Sequence, residues 1–170
     1  MKDELPVFKY HPNLYNLGIV EFKKGICNCC GKETYAYIQK MYTTEDIDCI
    51  CMECVSSGKA AEKFDGEFIQ DAEKVSDKSK VEELYRRTPG YISWQGEHWL
   101  ACCDDYCEYL GTVGTKELDE MGISDEVFKE LEDEFSLDDL RNSLRKDGTE
   151  CGYLFRCLHC GKHRIWIDYE

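Results

Sequence analysis

"CNCCGK", residues 27–32, decides how this chain is read. Three cysteines in four positions, then Gly31 and Lys32, fit a metal knuckle, a redox pair or half of a disulfide framework. The same signature returns as "CLHCGK" at residues 157–162. In the first copy a two-residue gap between Cys27 and Cys30 lets both sulfurs turn onto one ion, and Gly31 lets the backbone curl beneath it. A second pair follows downstream, so that Cys27, Cys30, Cys51 and Cys54 give C-x2-C-x20-C-x2-C, at the upper edge of zinc-ribbon spacing. The pattern predicts a four-thiolate structural zinc site. A thioredoxin-like redox pair is the competing reading; the Gly-Lys after the pair and the second pair at ribbon distance argue against it.

The C-terminal knuckle supplies Cys157 and Cys160, and its nearest upstream partners are Cys103 and Cys107 in "CDDYC", a C-x3-C. The expectation is a second four-cysteine site of Cys103, Cys107, Cys157 and Cys160. It requires the strands on either side of a long helical segment to lie side by side. Cys102, Cys151, His98, His159 and His163 are near enough in sequence to replace one of these ligands. Cys29, Cys49, Cys102 and Cys151 are otherwise expected as small apolar filler or as thiols beside a site. Two zinc ions are expected, with iron as the alternative, because C-x-x-C-G knuckles also hold a single iron in rubredoxin-like electron carriers. A site closed by four thiolates has no open position for water, which argues for structure rather than hydrolysis.

Twelve cysteines in 170 residues would also suit a disulfide scaffold, so the compartment matters. "MKDELPVFKYHPN" contains no apolar run of the signal-peptide kind, and no stretch approaches the length of an apolar membrane span. A cytoplasmic protein is expected, where closely spaced thiols hold metal or do redox chemistry more often than they form disulfides. The net charge of −14 argues against nucleic acid, since phosphate affinity comes from Lys and Arg. Each four-thiolate zinc site loses four thiol protons and gains one dication, so loading makes the chain more acidic still. A basic protein partner is electrostatically favoured.

Patterning predicts an α+β fold: small antiparallel sheets carry zinc-ribbon-like four-cysteine knuckles, and an acidic helical insertion separates them. The chain reads as one compact unit, 1–170, with an N-terminal zinc-ribbon-like lobe at 22–64. A C-terminal sheet lobe at 91–170 carries the second cysteine site and the helical insertion 115–147. "ETYAYIQKMY" after the first knuckle alternates like a strand, and Cys54 is expected in the first turn of a short helix that Gly58 weakens. Residues 65–76 read as a connection. Ser79 with Glu82 forms a capping-box pattern for a helix that Pro89 and Gly90 stop. Ser124 and Ser136 are candidate N-caps. Val127, Leu131 and Phe135 share one helical face, as do Leu137, Leu140 and Leu144.

Between Glu117 and Asp139 eleven residues are Asp or Glu and only Lys129 is basic. Such a run is ordinarily the solvated face of amphipathic helices, and its functional reading is a negative patch that docks a cationic protein. The aromatic block Tyr91, Trp94, His98 and Trp99 reads as core or sheet packing, or as a groove for a peptide or base. No nucleophile elbow, Gly-rich phosphate loop or H-E-x-x-H is present in the sequence.

"FKYHPN" (8–13), "CMECVSSGKAAEKFDGEF" (51–68), "RTPGYISWQGEHWLACCDDYCEYLGTVG" (87–114) and "GYLFRCLHCGKHR" (152–164), in this order, resemble the CbrC-like family of bacterial proteins. The resemblance covers nearly the whole chain apart from the helical segment around 115–147. It implies a link to tolerance of a colicin whose toxic domain is a nuclease, and paired cysteines matching the eight ligands named above. At position 102, where this chain has Cys, relatives are expected often to carry His. The reading that follows is a noncatalytic, zinc-stabilised cytoplasmic protein that binds another macromolecule, with a basic toxin domain as the partner or an envelope or stress response as the indirect route. The alternatives are thiol redox or metal handling through the surplus cysteines, and an enzyme with its pocket in the Tyr91–Trp99 block.

Overall fold

A computed structural model describes residues 4–168 of the chain; the outermost ends of the 1–170 unit, residues 1–3 and 169–170, lie outside the described residues. A single 3-10 turn at Leu14–Asn16 is followed by two short antiparallel pairs. These are β1 (Gly25–Ile26) with β2 (Glu33–Thr34), and β3 (Tyr37–Ile38) with β4 (Ile50–Cys51). The strand expected from "ETYAYIQKMY" is broken at Tyr35–Ala36, where the Thr34 hydroxyl donates to the Ala36 carbonyl at 3.0 Å. Two short helices follow, α1 (Met52–Ser56) and α2 (Lys59–Phe64), and Gly58 at φ 80° is the left-handed residue that divides them.

Residues 65–76 are not a plain connection. They contain β5 (Asp71–Ala72), which pairs in parallel with β6 (His98–Trp99) across α3 (Lys78–Arg87). The cap of α3 is Asp77 rather than Ser79: the Asp77 carboxylate accepts from the Ser79 N–H at 2.8 Å. An ionised Asp satisfies the exposed first-turn N–H groups and opposes the positive end of the helix dipole, so it outcompetes a serine two positions later.

A tight hairpin, β7 (Ala101–Cys102) with β8 (Asp105–Tyr106), leads into β9 (Glu108–Val113). Three helices come next: α4 (Thr115–Met121), α5 (Ser124–Lys129) and α6 (Leu137–Ser143). The chain then returns as β10 (Cys151–Arg156) and β11 (His163–Asp168). The main sheet has the order β11-β10-β9, antiparallel throughout. The strands on either side of the helices therefore do lie side by side. Ser136 takes the N-cap position of α6, whereas Ser124 is already inside α5, whose N-cap is Ile123. Leu131 and Phe135 fall in turns after α5 rather than on its helical face.

Three apolar clusters hold these pieces. Phe8, Leu14, Ile38, Ile50, Met52 and Val55 pack under the first knuckle. Leu118, Val127, Phe128, Leu140 and Leu144 close the helices onto Leu154, Ile165 and Ile167 of the sheet. Between them lies an aromatic cluster in which Tyr91 stacks on Tyr109 and Tyr153 at centroid distances of 4.4 and 4.9 Å. Tyr91 and Trp99 are thus core residues, and Trp94 is the exposed member of that block. No helix among the described residues is long and apolar enough to cross a membrane.

His11, from "FKYHPN", is wholly buried in this aromatic cluster, with its ring against Trp99 and Tyr109. Its Nδ1 lies 2.8 Å from the Pro89 carbonyl, so Nδ1 carries the proton and donates. Burial pulls its pKa down to about 4, against the smaller opposing pull of the Pro89 carbonyl. The unfolded chain binds this proton near pH 6.5 and the folded one does not. The stabilisation is therefore complete above that pH and declines as pH falls from 6.5 towards 4, by on the order of 3 kcal/mol. An NMR titration of the His11 imidazole is expected to stay in the neutral form down to about pH 4; a midpoint near the ordinary histidine value would contradict this burial.

Candidate metal centres

The two C-x-x-C-G-K stretches fold into the same local shape. In the first, Gly31 N–H donates to the Cys27 carbonyl at 2.8 Å and Cys27 N–H to the Lys32 carbonyl at 2.9 Å. In the second, Gly161 N–H donates to the Cys157 carbonyl at 3.1 Å and Cys157 N–H to the Lys162 carbonyl at 2.8 Å. Gly31 and Gly161 sit at φ 73° and 75°, the left-handed conformation in which a side chain would be strained. The glycine is what lets the chain turn back under its two cysteines.

Cys27, Cys30, Cys51 and Cys54 come together as one cluster with all sulfurs within 4.8 Å of one another. Register does part of this, since β3–β4 places Cys51 opposite Tyr37. Cys51 is also the N-cap of α1, so Cys54 follows it on the first helical turn. A residue the sequence reading passed over completes the closure. Asn28, inside the knuckle, accepts the N–H groups of Asp48 and Cys49 at 3.0 and 2.9 Å and donates its own to the Cys49 carbonyl. Lys63 of α2 donates to the Cys29 and Asn28 carbonyls. An Asn between two knuckle cysteines is a signal of loop stapling.

The second cluster is Cys102, Cys103, Cys157 and Cys160, again within 4.8 Å. Here Cys102 takes the position expected for Cys107, and the hairpin register is the reason. Cys102 pairs with Asp105, so Cys103 and Asp104 form a two-residue turn with φ of 54° and 53°, the left-handed pair a tight hairpin favours. Cys107 lies level with Leu100, to whose carbonyl its N–H donates, about 7 Å along the strand from Asp105. Its thiol is fully buried in the aromatic cluster, where burial pushes its pKa up to about 12. The turn is held from outside by Asp104, whose carboxylate accepts from the Ser76 N–H at 2.8 Å and from the Ser76 hydroxyl. Lys80 donates to the Asp104 carbonyl.

The remaining proposed ligands lie outside both clusters. His98 Nδ1 is 2.7 Å from Asp71 and its ring lies on Trp166. His163 faces Glu126, and Cys151 is buried in β10. His159 Nε2 is 2.8 Å from Asp105, a buried carboxylate that also accepts from the Tyr10 hydroxyl at 2.7 Å. Burial raises the Asp105 pKa, but the bonds from His159 and Tyr10 outweigh it and the net shift is downward. Cys29 and Cys49 belong to neither cluster; Cys49 is buried and Cys29 half-buried beside the first.

Sulfur spacing tests whether metal fits. Cys30 and Cys51 are 3.9 Å apart, Cys102 and Cys103 3.8 Å, and Cys102 and Cys160 3.7 Å. A tetrahedron with metal–sulfur bonds of about 2.3 Å has edges of about 3.8 Å. All twelve cysteines are free thiols. In each cluster the first cysteine of the knuckle is the one the backbone prepares as an anion. Burial raises the Cys27 thiol, yet the N–H groups of Cys51, Cys30 and Cys29 bring it below its ordinary value. The same opposition between burial and the N–H groups of Cys160 and His159 brings Cys157 down to about 6. Burial pushes Cys51 up to about 11 and raises Cys54 and Cys102 as well. Either cluster can hold one metal ion.

The exchange of Cys102 for Cys107 gives a direct prediction. Cys102→Ser is expected to lose one bound metal per chain, while Cys107→Ser keeps the full complement and loses only stability, by about 1–2 kcal/mol from a buried hydroxyl replacing a thiol. Metal content of the two purified variants checks it; metal loss on changing Cys107 alone would contradict the register.

The chain is similar along almost its entire length to bacterial relatives. A UPF0167 protein of Pseudomonas aeruginosa is 32% identical over 181 residues, covering 99% of both chains. UPF0167 proteins of Mycobacterium bovis and Mycobacterium tuberculosis are each 31% identical over 179 residues, covering 98% of this chain and 94% of theirs. No solved structure matches it. Neither CbrC nor colicin tolerance is named in the family description or in these relatives' names. The family model described as "Uncharacterised protein family (UPF0167)" matches residues 5–169, and the chain belongs to that family.

Proposed function

We propose that this is a noncatalytic bacterial zinc protein, held by two four-thiolate ions in zinc-ribbon-like knuckles, that works by binding another protein. The observation that carries the reading is the sulfur spacing: in each cluster four sulfurs lie within 4.8 Å of one another, with a pair at 3.9 Å in the first and pairs at 3.7 and 3.8 Å in the second, which suits a closed tetrahedral ion that leaves no position for a reacting water. A given four-thiolate site binds Zn(II) more tightly than Fe(II), which favours zinc over iron.

The binding surface in this reading is the acidic surface of the segment 115–147, its helices and the turns between them. Glu120, Glu132, Asp133, Glu134, Asp138 and Asp139 are exposed there. Other carboxylates of the segment are paired within the chain: Asp119 and Asp125 hold Arg141, and Glu130 holds Lys162 and Arg164. A net charge of −14 steers cationic proteins towards this face. With the resemblance to the CbrC-like family, the proposed partner is the basic nuclease domain of a colicin, neutralised directly. The test is titration calorimetry of the zinc-loaded protein with such a domain at low and high salt. Binding that weakens with salt, and weakens again when Glu132, Asp133 and Glu134 are changed to Lys, is expected. Binding that is undetectable or indifferent to salt would sink the proposal.

A further inference from the structure

Resting on the reading that both clusters hold zinc, we propose that the second cluster is an exchangeable site for soft thiophilic cations such as Cd(II), while the first retains its ion. The two clusters have the same knuckle but differ in cover: two cysteines are buried and one exposed in the first, one buried and two exposed in the second. In the first, Cys27 and Cys54 are 1% and 3% exposed and belong to the apolar cluster beneath, Cys51 is half-covered and Cys30 alone is exposed. In the second only Cys157 is buried; Cys103 and Cys160 are exposed and Cys102 is half-covered.

Geometry gives an incoming ion its path. Cys103 lies on the left-handed turn of the β7–β8 hairpin and Cys160 on the outer end of its knuckle, so one edge of the sulfur tetrahedron faces solvent. A second cation can take those two thiolates first and then Cys102 and Cys157. One dication enters and one leaves, four sulfur–metal bonds form and four break, and no proton or electron moves. Thiolate sites hold the softer ion more tightly.

The protein frame needs no change for this. Glu73 accepts the Ala101 N–H at 2.7 Å, and Arg164 donates to the Ala101 carbonyl at 2.6 Å while paired with Glu73 and Glu130. Both backbone groups of the residue before Cys102 are therefore fixed from β11 and its neighbours. Cys157 is likewise fixed between β10 and β11 by its knuckle. The first cluster lacks such independence, because its second pair is the start of α1 itself.

The test begins with a zinc count on the purified full chain by elemental analysis. Cadmium chloride is then added, and zinc release to a colorimetric chelator is followed together with the ultraviolet cadmium–thiolate band. The expected result is one zinc equivalent exchanged in a fast phase and the other retained, with the fast phase absent in Cys103→Ser and present in Cys30→Ser. Mass-spectrometric alkylation footprinting of the unaltered protein during exchange supplies a readout that needs no variant: Cys103 and Cys160 are expected to label before Cys30. Release of both equivalents in one phase, or first labelling at Cys30, would overturn the proposal. A chain that holds no zinc at the initial count overturns the zinc reading on which it rests, and is recognised before cadmium is added.

Discussion

Stripping metal from the protein with a strong chelator is expected to unfold the segment around the first knuckle. Its strands β1 to β4 are two residues each, and its helices α1 and α2 have five and six residues. Helices shorter than about 12 residues are marginal alone, and isolated short pairs of strands are no better. Four thiolates on one ion join the turn at 27–32, strand β4 and helix α1 in a single step. Structural zinc contributes about 10 kcal/mol or more of apparent binding free energy per site, against a total stability of about 5–15 kcal/mol for an ordinary domain. Amide NMR spectra should therefore lose the dispersed signals of residues 22–64 on chelation and regain them when zinc returns. Native-like spectra in the chelated protein would show that the apolar cluster suffices without metal.

The second large effect is expected at Trp99. Its side chain is completely buried, its Nε1–H donates to the Cys107 carbonyl at 2.9 Å, and its ring meets Tyr91, Tyr109 and Phe155. Trp99→Ala opens a cavity and leaves that carbonyl without its donor, a loss of about 3–5 kcal/mol. Trp99→Phe keeps most of the ring packing and is expected to cost clearly less. Urea unfolding of the metal-loaded variants measures both. An alanine variant within about 1 kcal/mol of the parent would place Trp99 outside the core, as the groove reading of this aromatic block required.

What the sequence made legible was whatever is encoded within a few residues. The knuckles could be read because C-x-x-C-G-K specifies its own turn, sulfur orientation and left-handed glycine. The first cluster followed because its second pair sits at ribbon distance. The second cluster was only partly legible. Cys102 and Cys107 bracket the same short stretch, and the choice between them depends on a two-residue hairpin turn that appears in "CCDDYC" only as a run of Asp and Cys without glycine. The parallel β5–β6 pair escaped because two residues carry no period, and the pairing depends on α3 folding between them. Asp77 displaced Ser79 as a cap through charge, which a capping-box pattern does not weigh. Asn28 had a local signal, an amide within a knuckle, but its partners Asp48 and Cys49 lie across a turn that only the folded chain closes.

The most direct test of the two-site account is native mass spectrometry combined with elemental analysis of the protein purified without chelators. Eight sulfurs in two clusters of the observed spacing predict two zinc ions per chain, each binding with loss of the thiol protons of its four cysteines. Two ions of zinc, falling to one in Cys102→Ser, is the result expected; a parent chain that carries one ion or none would contradict it.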